Sequence, residues 1–207
     1  MQYQSILQER GAVTFPTFAG ERVYMHPFTK QDGLPASLSR WQKTVNQMLE
    51  GVDADGPIYL MVDQAKVDAG SPHRRPGLHI DGYWNPGVVS AHSPSSPGHV
   101  VEPVHIPRPP GHVPEGGSWA MAKFDAPEAI ILATNIEASR AYVGQFKGPI
   151  GDGGDCAQVS LEGLNVVSLK ADRAYAGNVS MLHESLPLGV DCLRTLVRLN
   201  VPGWTPH

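Results

Sequence analysis

The run Asp191-Cys192-Leu193-Arg194-Thr195-Leu196-Val197-Arg198-Leu199-Asn200-Val201 decides the fold class. The run is strongly β-patterned and predicts a strand, along which side chains alternate between faces at a two-residue period. On that period Arg194 and Arg198 share one face with Cys192 and Leu196. Leu193, Val197 and Leu199 lie opposite or in the core. Two guanidiniums on one face of an apolar strand need partners, because a desolvated, unpaired cation is costly. A dianionic ligand supplies one, through the bidentate fork that arginine offers a carboxylate.

Further strands surround this one in the sequence. Residues 58–62 and 129–135 are short apolar runs bounded by turn residues, which predicts buried strands. Residues 141–146 alternate and predict a half-buried strand; 164–169 and 174–182 complete the set, and 12–15 predicts a first strand. Residues 148–154 form a turn cluster. One amphipathic helix is expected over 37–50, where Leu38, Trp41, Val45, Met48 and Leu49 recur at helical spacing. Ser37 or Ser39 would cap it, and Gly51 follows its end. Many short strands, little helix and frequent turns predict a mostly β chain, a sandwich or jelly-roll barrel.

Bulk composition agrees. The chain has 207 residues, enough to bury a core as a single domain over 1–207. Glycine (22) and proline (19) together make about a fifth of it, against roughly 12% in average usage. Such a composition excludes a coiled coil or helical bundle. A net charge of −4 without a basic stripe disfavours nucleic acid as a partner. No stretch approaches the ~20 apolar residues that span a bilayer, and the first ten residues lack the features of a secretory signal. Cys156 and Cys192 show no metal-type spacing and read as reduced thiols. A cytoplasmic protein without membrane contact is expected; sandwich edges and a pI of about 6.1 are compatible with a homodimer.

Residues 86–117 stand apart. They contain eight prolines and five glycines, and Pro-Gly-His-Val occurs twice, at 97–100 and 110–113. Proline removes ladder donors, so this stretch is expected as an insertion outside the main sheets, acting as a lid.

Chemistry concentrates at Pro76-Gly77-Leu78-His79-Ile80-Asp81-Gly82-Tyr83-Trp84. On a strand, residues i and i+2 project from one face, so His79 and Asp81 would point together. An imidazole nitrogen and a carboxylate oxygen side by side make two-thirds of a facial metal site, whose remaining positions stay open. A third ligand must come from another strand. His183 is the candidate, as the only histidine between residue 113 and His207. His-x-Asp alone also fits a solvated surface strand.

The order His79-x-Asp81, distant His183, then Arg194 eleven residues on resembles the Fe(II)- and 2-oxoglutarate-dependent oxygenases, over roughly residues 57–201. The resemblance implies a double-stranded β-helix in which His79, Asp81 and His183 bind Fe(II). It implies that Arg194 holds the distal carboxylate of 2-oxoglutarate as cosubstrate, with dioxygen and a small-molecule or peptide substrate. Arg198 matches a position that contacts anionic substrates in some members, and Tyr83 and Trp84 would line the substrate pocket. The Arg-x-Ser pair of many members reads Arg194-Thr195-Leu196 here, so a second hydroxyl contact must come from elsewhere.

Two rival readings stay open. One is a cupin-type metal enzyme without a keto acid; the other is a non-catalytic jelly-roll binding or structural module, viral for example. His92, His99, His105 and His112 read as solvated loop histidines, Arg74-Arg75 as a solvated turn, and Ser185 lacks the setting of a hydrolase nucleophile.

Overall fold

The structure, a computed structural model, describes residues 1–86, 118–120 and 126–207. Its strands are β1 (Gln2–Ser5), β2 (Leu7–Ala12), β3 (Arg22–Phe28), β4 (Ile58–Val67), β5 (Tyr83–Asn85), β6 (Ser118–Ala120) and β7 (Glu128–Thr134). There follow β8 (Ser139–Lys147), β9 (Asn165–Ser168), β10 (Arg173–Asn178), β11 (Leu182–Ser185) and β12 (Cys192–Pro202). A 3-10 turn (Ala36–Trp41) runs into the helix α1 (Gln42–Met48). The chain is mostly β, as its alternation predicts.

Six strands form one sheet in the order β2-β10-β7-β12-β4-β3, and β1-β8-β11 form a second, with β9 paired to β8. β12 is central because both its edges are bonded, to β4 and to β7. One face of the large sheet sends Leu60, Val62, Ile131, Ala133, Val197 and Leu199 against the helix residues Trp41, Val45 and Met48. The other face meets the small sheet, where Ile130, Leu132 and Tyr175 pack on Ala141, Leu169 and Met181. Since side chains alternate along a strand, the even-numbered residues of β12 project into this inter-sheet space.

Ile131 is wholly buried in the helix-facing cluster. Ile131→Val is expected to cost about 0.5–1.5 kcal/mol by deleting one packed methyl group. Urea denaturation checks this, and a cost near zero would contradict the packing.

Several expectations need correction. The first strand is not 12–15: β1 and β2 precede it, and of that run only Ala12 is in a strand. Neither Ser37 nor Ser39 caps the helix; Pro35 stands at the 3-10 N-cap without a side-chain bond. Gly51 (φ +67°) does lie just past the helix. Leu193, Val197 and Leu199 do lie on the strand face opposite Arg194, Leu193 at 51% exposure and the other two buried. The 174–182 run is divided: β10 lies in the large sheet, and a turn whose Met181 N–H donates to the Asn178 carbonyl starts β11 in the small one. Apart from Pro86, the 86–117 expectation lies outside the described residues. Among the described residues no helix is long and apolar enough to cross a membrane.

Candidate metal centre

His79 and His183 are paired by backbone before their rings meet. The N–H of each donates to the carbonyl of the other at 3.0 Å, an antiparallel bridge next to β11. On its other side the 78–80 segment is held by Ile80 N–H to the Gly154 carbonyl and Cys156 N–H to the Leu78 carbonyl. Residues 79–81 therefore alternate as a strand would, although only His79 is bridged and no regular strand forms there. Ile80 turns away into the cluster with Tyr142, Phe146 and Leu182. His79 and Asp81 turn inward.

The ring centroids of His79 and His183 lie 4.4 Å apart. His79 Nδ1 is 2.8 Å from the Gly77 carbonyl, and His183 Nδ1 is 2.9 Å from the Met181 carbonyl. A carbonyl oxygen can only accept, so each neutral ring carries its proton on Nδ1 and keeps the Nε2 lone pair. A metal-binding histidine is oriented in this way, by an acceptor on the ring nitrogen that does not face the metal. One ligand atom each from His79, Asp81 and His183 lie within 4.8 Å of one another. Two imidazole nitrogens and a carboxylate oxygen on one side of a site fit a divalent transition metal.

Electrostatics favour that protonation state. Burial, with His183 beside it, pushes the His79 imidazole down to about 4. Burial alone would raise the Asp81 carboxyl, but the Arg198 guanidinium and both imidazoles hold it well below the carboxylate range. Asp81 Oδ2 lies 2.9 Å from Arg198 Nη1 and 3.4 Å from His183 Nε2. Asp63, facing the same interior from β4, opposes its burial with His73 and Arg74 and falls to about 2.

A pH dependence follows. Between about pH 6.5 and 4 the unfolded chain protonates His79 while the folded chain does not, so the metal-free protein loses stability as pH falls through that window. The depressed carboxyls of Asp63 and Asp81 extend the loss below about pH 4 as the folded state protonates. Urea midpoints at about pH 7, 5.5 and 4.5 should fall in that order. A flat profile would contradict a buried neutral His79.

Arg194 is wholly buried, two strand repeats (four residues) before Arg198 on the inward face of β12. Its Nε donates to Thr134 Oγ1 at 3.3 Å, Nη1 to Ser185 Oγ at 3.5 Å and Nη2 to Ser139 Oγ at 3.1 Å. Register puts these groups beside the triad: Ser185 is opposite Ser139 exactly where the same ladder sets His183 opposite Ala141 two residues earlier. No described carboxylate forms an ion pair with Arg194. Burial depresses its pKa. Hydroxyls satisfy donors but do not neutralise the cation.

Arg198 is not free toward the interior in the same way. Besides Asp81 it reaches Asn200 Oδ1 through Nε at 3.1 Å, and its guanidinium lies 4.3 Å from the Trp119 ring centroid. Trp84 is buried among Tyr24, Tyr59 and Trp119, and Tyr83 donates its hydroxyl to the Ala126 carbonyl. Arg74 is no solvated turn residue: Nη1 sits 2.8 Å from Asp63 Oδ2. Cys156 and Cys192 are free thiols.

Sequence reasoning passed over Thr134, Ser139, Asn200 and Glu128. Asn200 was within reach of the two-residue rule, since it shares the face of Arg194 and Arg198. Glu128 was not, because it stands before an apolar run like any solvated strand end. Comparison of the chain with family models, with curated proteins and with solved structures returns no match.

Proposed function

We propose that the chain is an oxygenase that uses Fe(II) and 2-oxoglutarate to oxidise a small-molecule or peptide substrate. The observation that carries this reading is Arg194, a buried cation whose partners among the described residues are hydroxyls, on the same interior as the His79, Asp81 and His183 donor set. A lone metal site would have no use for it. The mostly β, two-sheet order also supports the reading: β4-β12-β7-β10 across from β11-β8-β9, with the 78–80 segment alongside β11, is compatible with a double-stranded β-helix.

In this reading the two Nε2 lone pairs and the Asp81 carboxylate hold the metal, while the Gly77 and Met181 carbonyls fix the ring planes. Arg194 forks onto the distal carboxylate of the keto acid, and Thr134, Ser139 and Ser185 surround it with hydroxyls. These take the place of the hydroxyl contact missing at Leu196. The bound iron and keto acid supply dioxygen activation coupled to oxidative decarboxylation, which oxidises a C–H bond. Burial of Arg194 strengthens its attraction for a carboxylate by lowering the local dielectric.

Oxygen uptake by iron-loaded protein tests the proposal. Adding 2-oxoglutarate should stimulate uptake, with succinate appearing as the keto acid disappears. Metal binding without such stimulation would favour the cupin-type reading, and no metal binding at all would favour a binding module.

A further inference from the structure

We propose that Glu128, Asn200 and Arg198 form a buried relay that positions Asp81 for metal binding. The inference rests on the reading of His79, Asp81 and His183 as metal ligands, and adds three residues that touch no metal. Each is almost fully buried: Asn200 at 0%, Glu128 at 5% and Arg198 at 7% exposure.

The relay is continuous. Glu128 Oε1 accepts Asn200 Nδ2–H at 2.8 Å, and Asn200 Oδ1 accepts Arg198 Nε–H at 3.1 Å. Arg198 Nη1 then reaches Asp81 Oδ2 at 2.9 Å. The same Glu128 oxygen also accepts the backbone N–H of Trp84 at 3.0 Å. One carboxylate on β7 thus ties down both the Asp81 side chain, through two residues of β12, and the backbone three residues beyond it. Two in-plane contacts and the Trp119 ring on its face leave the Arg198 guanidinium no free rotation.

Folding does not call for this arrangement. Glu128 lies beside Tyr59 and Trp84, where an apolar side chain would pack without desolvating a charge. A hydrogen-bonded polar network in such a place narrows what it touches to one conformation, and of the Arg198 nitrogens Nη2 alone has no partner among the described residues. Here that is the rotation of the Asp81 carboxylate, which otherwise has, among the described residues, only His183 Nε2 to orient it. One guanidinium serves both carboxylates of the relay, contacting Asp81 directly and Glu128 through the neutral Asn200. Arg198 itself is a poor probe: deleting its charge loosens Asp81 but also strengthens it as an anion. Asn200 and Glu128 avoid that ambiguity, because their replacement leaves Arg198 in place. All three are positioning residues.

The test is calorimetric titration of Mn(II), alone, into the full chain. Asn200→Leu and Glu128→Leu should bind about tenfold or more weakly, in line with the loss seen when outer-shell partners of metal ligands are removed. Glu128→Gln keeps an acceptor oxygen for both N–H groups and should restore affinity to within about threefold of the parent. Asn200→Ser, which also leaves Arg198 Nε unmatched, replaces Asn200→Leu if that variant does not fold. A control for general destabilisation is Gln64→Leu, which breaks the buried Gln64–Thr195 contact on the helix-facing side and should leave Mn(II) affinity unchanged. Parent-like Mn(II) affinity in folded Asn200 and Glu128→Leu variants would overturn the relay and leave the metal site standing. Loss of affinity in Gln64→Leu to the same extent would also overturn it, by making the effect one of stability. A parent chain that binds no Mn(II) would overturn the metal reading itself.

Discussion

Asp81→Ala or His183→Ala should reduce transition-metal affinity by about two to three orders of magnitude. A full four-ligand structural site is worth roughly 10–16 kcal/mol, or about 3–4 per ligand, and each 1.4 kcal/mol is tenfold. His183→Ala removes an Nε2 donor that its Met181 contact keeps poised. Asp81→Ala removes the only carboxylate in the donor set and also leaves the Arg198 guanidinium buried without its anion. The two variants should therefore differ in stability though not in outcome. His183→Ala melts near the parent, while Asp81→Ala falls by about 3 kcal/mol or more, as when one partner of a buried pair is deleted. Metal titration and urea unfolding on the same preparations check both halves. Full metal affinity in either variant would contradict the assignment of that ligand.

Arg194 should show the opposite coupling between binding and stability. Arg194→Lys keeps the charge and loses the fork, so 2-oxoglutarate affinity should fall about ten- to a hundredfold, the worth of a bidentate charge-assisted contact. Arg194→Met should abolish measurable keto-acid binding and leave metal affinity intact. In the ligand-free chain the same change should raise stability by about 1–2 kcal/mol, because an apolar side chain replaces a desolvated cation whose partners among the described residues are hydroxyls. Calorimetric 2-oxoglutarate titration and urea denaturation give the two numbers. A less stable Arg194→Met would mean that the guanidinium serves the fold and not a ligand.

How much of this was legible in the residues depends on distance along the chain. Strand patterning exposed β12, and short continuous apolar runs exposed β7 and β4, which are buried on both sides of the sheet. The same patterning brought Arg194 and Arg198 to one face, a property of the strand alone. The convergence of His79 with Asp81 was foreseen from a regular strand that does not form; the alternation survives because β11 and the 151–156 turn clasp the 78–80 segment from both sides. The change of sheet between β10 and β11 was read as continued strand because the apolar residues of 174–182 dominate it, although Gly177, Asn178 and Ser180 are turn-forming residues at that point. Least legible were the partners of Arg194. Ser185, Ser139 and Thr134 lie 9, 55 and 60 positions from it, and only the ladder registers gather them. Hydroxyls and a lone glutamate carry no pattern until a fold encloses them.

In the proposed oxygenase one interior holds a metal and a keto acid together. Titration of 2-oxoglutarate into the chain under anaerobic conditions, with and without Mn(II), tests it most directly. The account predicts one equivalent of 2-oxoglutarate bound when the metal is present, and binding weakened or lost when it is absent. A chain that takes up Mn(II) at His79, Asp81 and His183 yet binds no 2-oxoglutarate would contradict it.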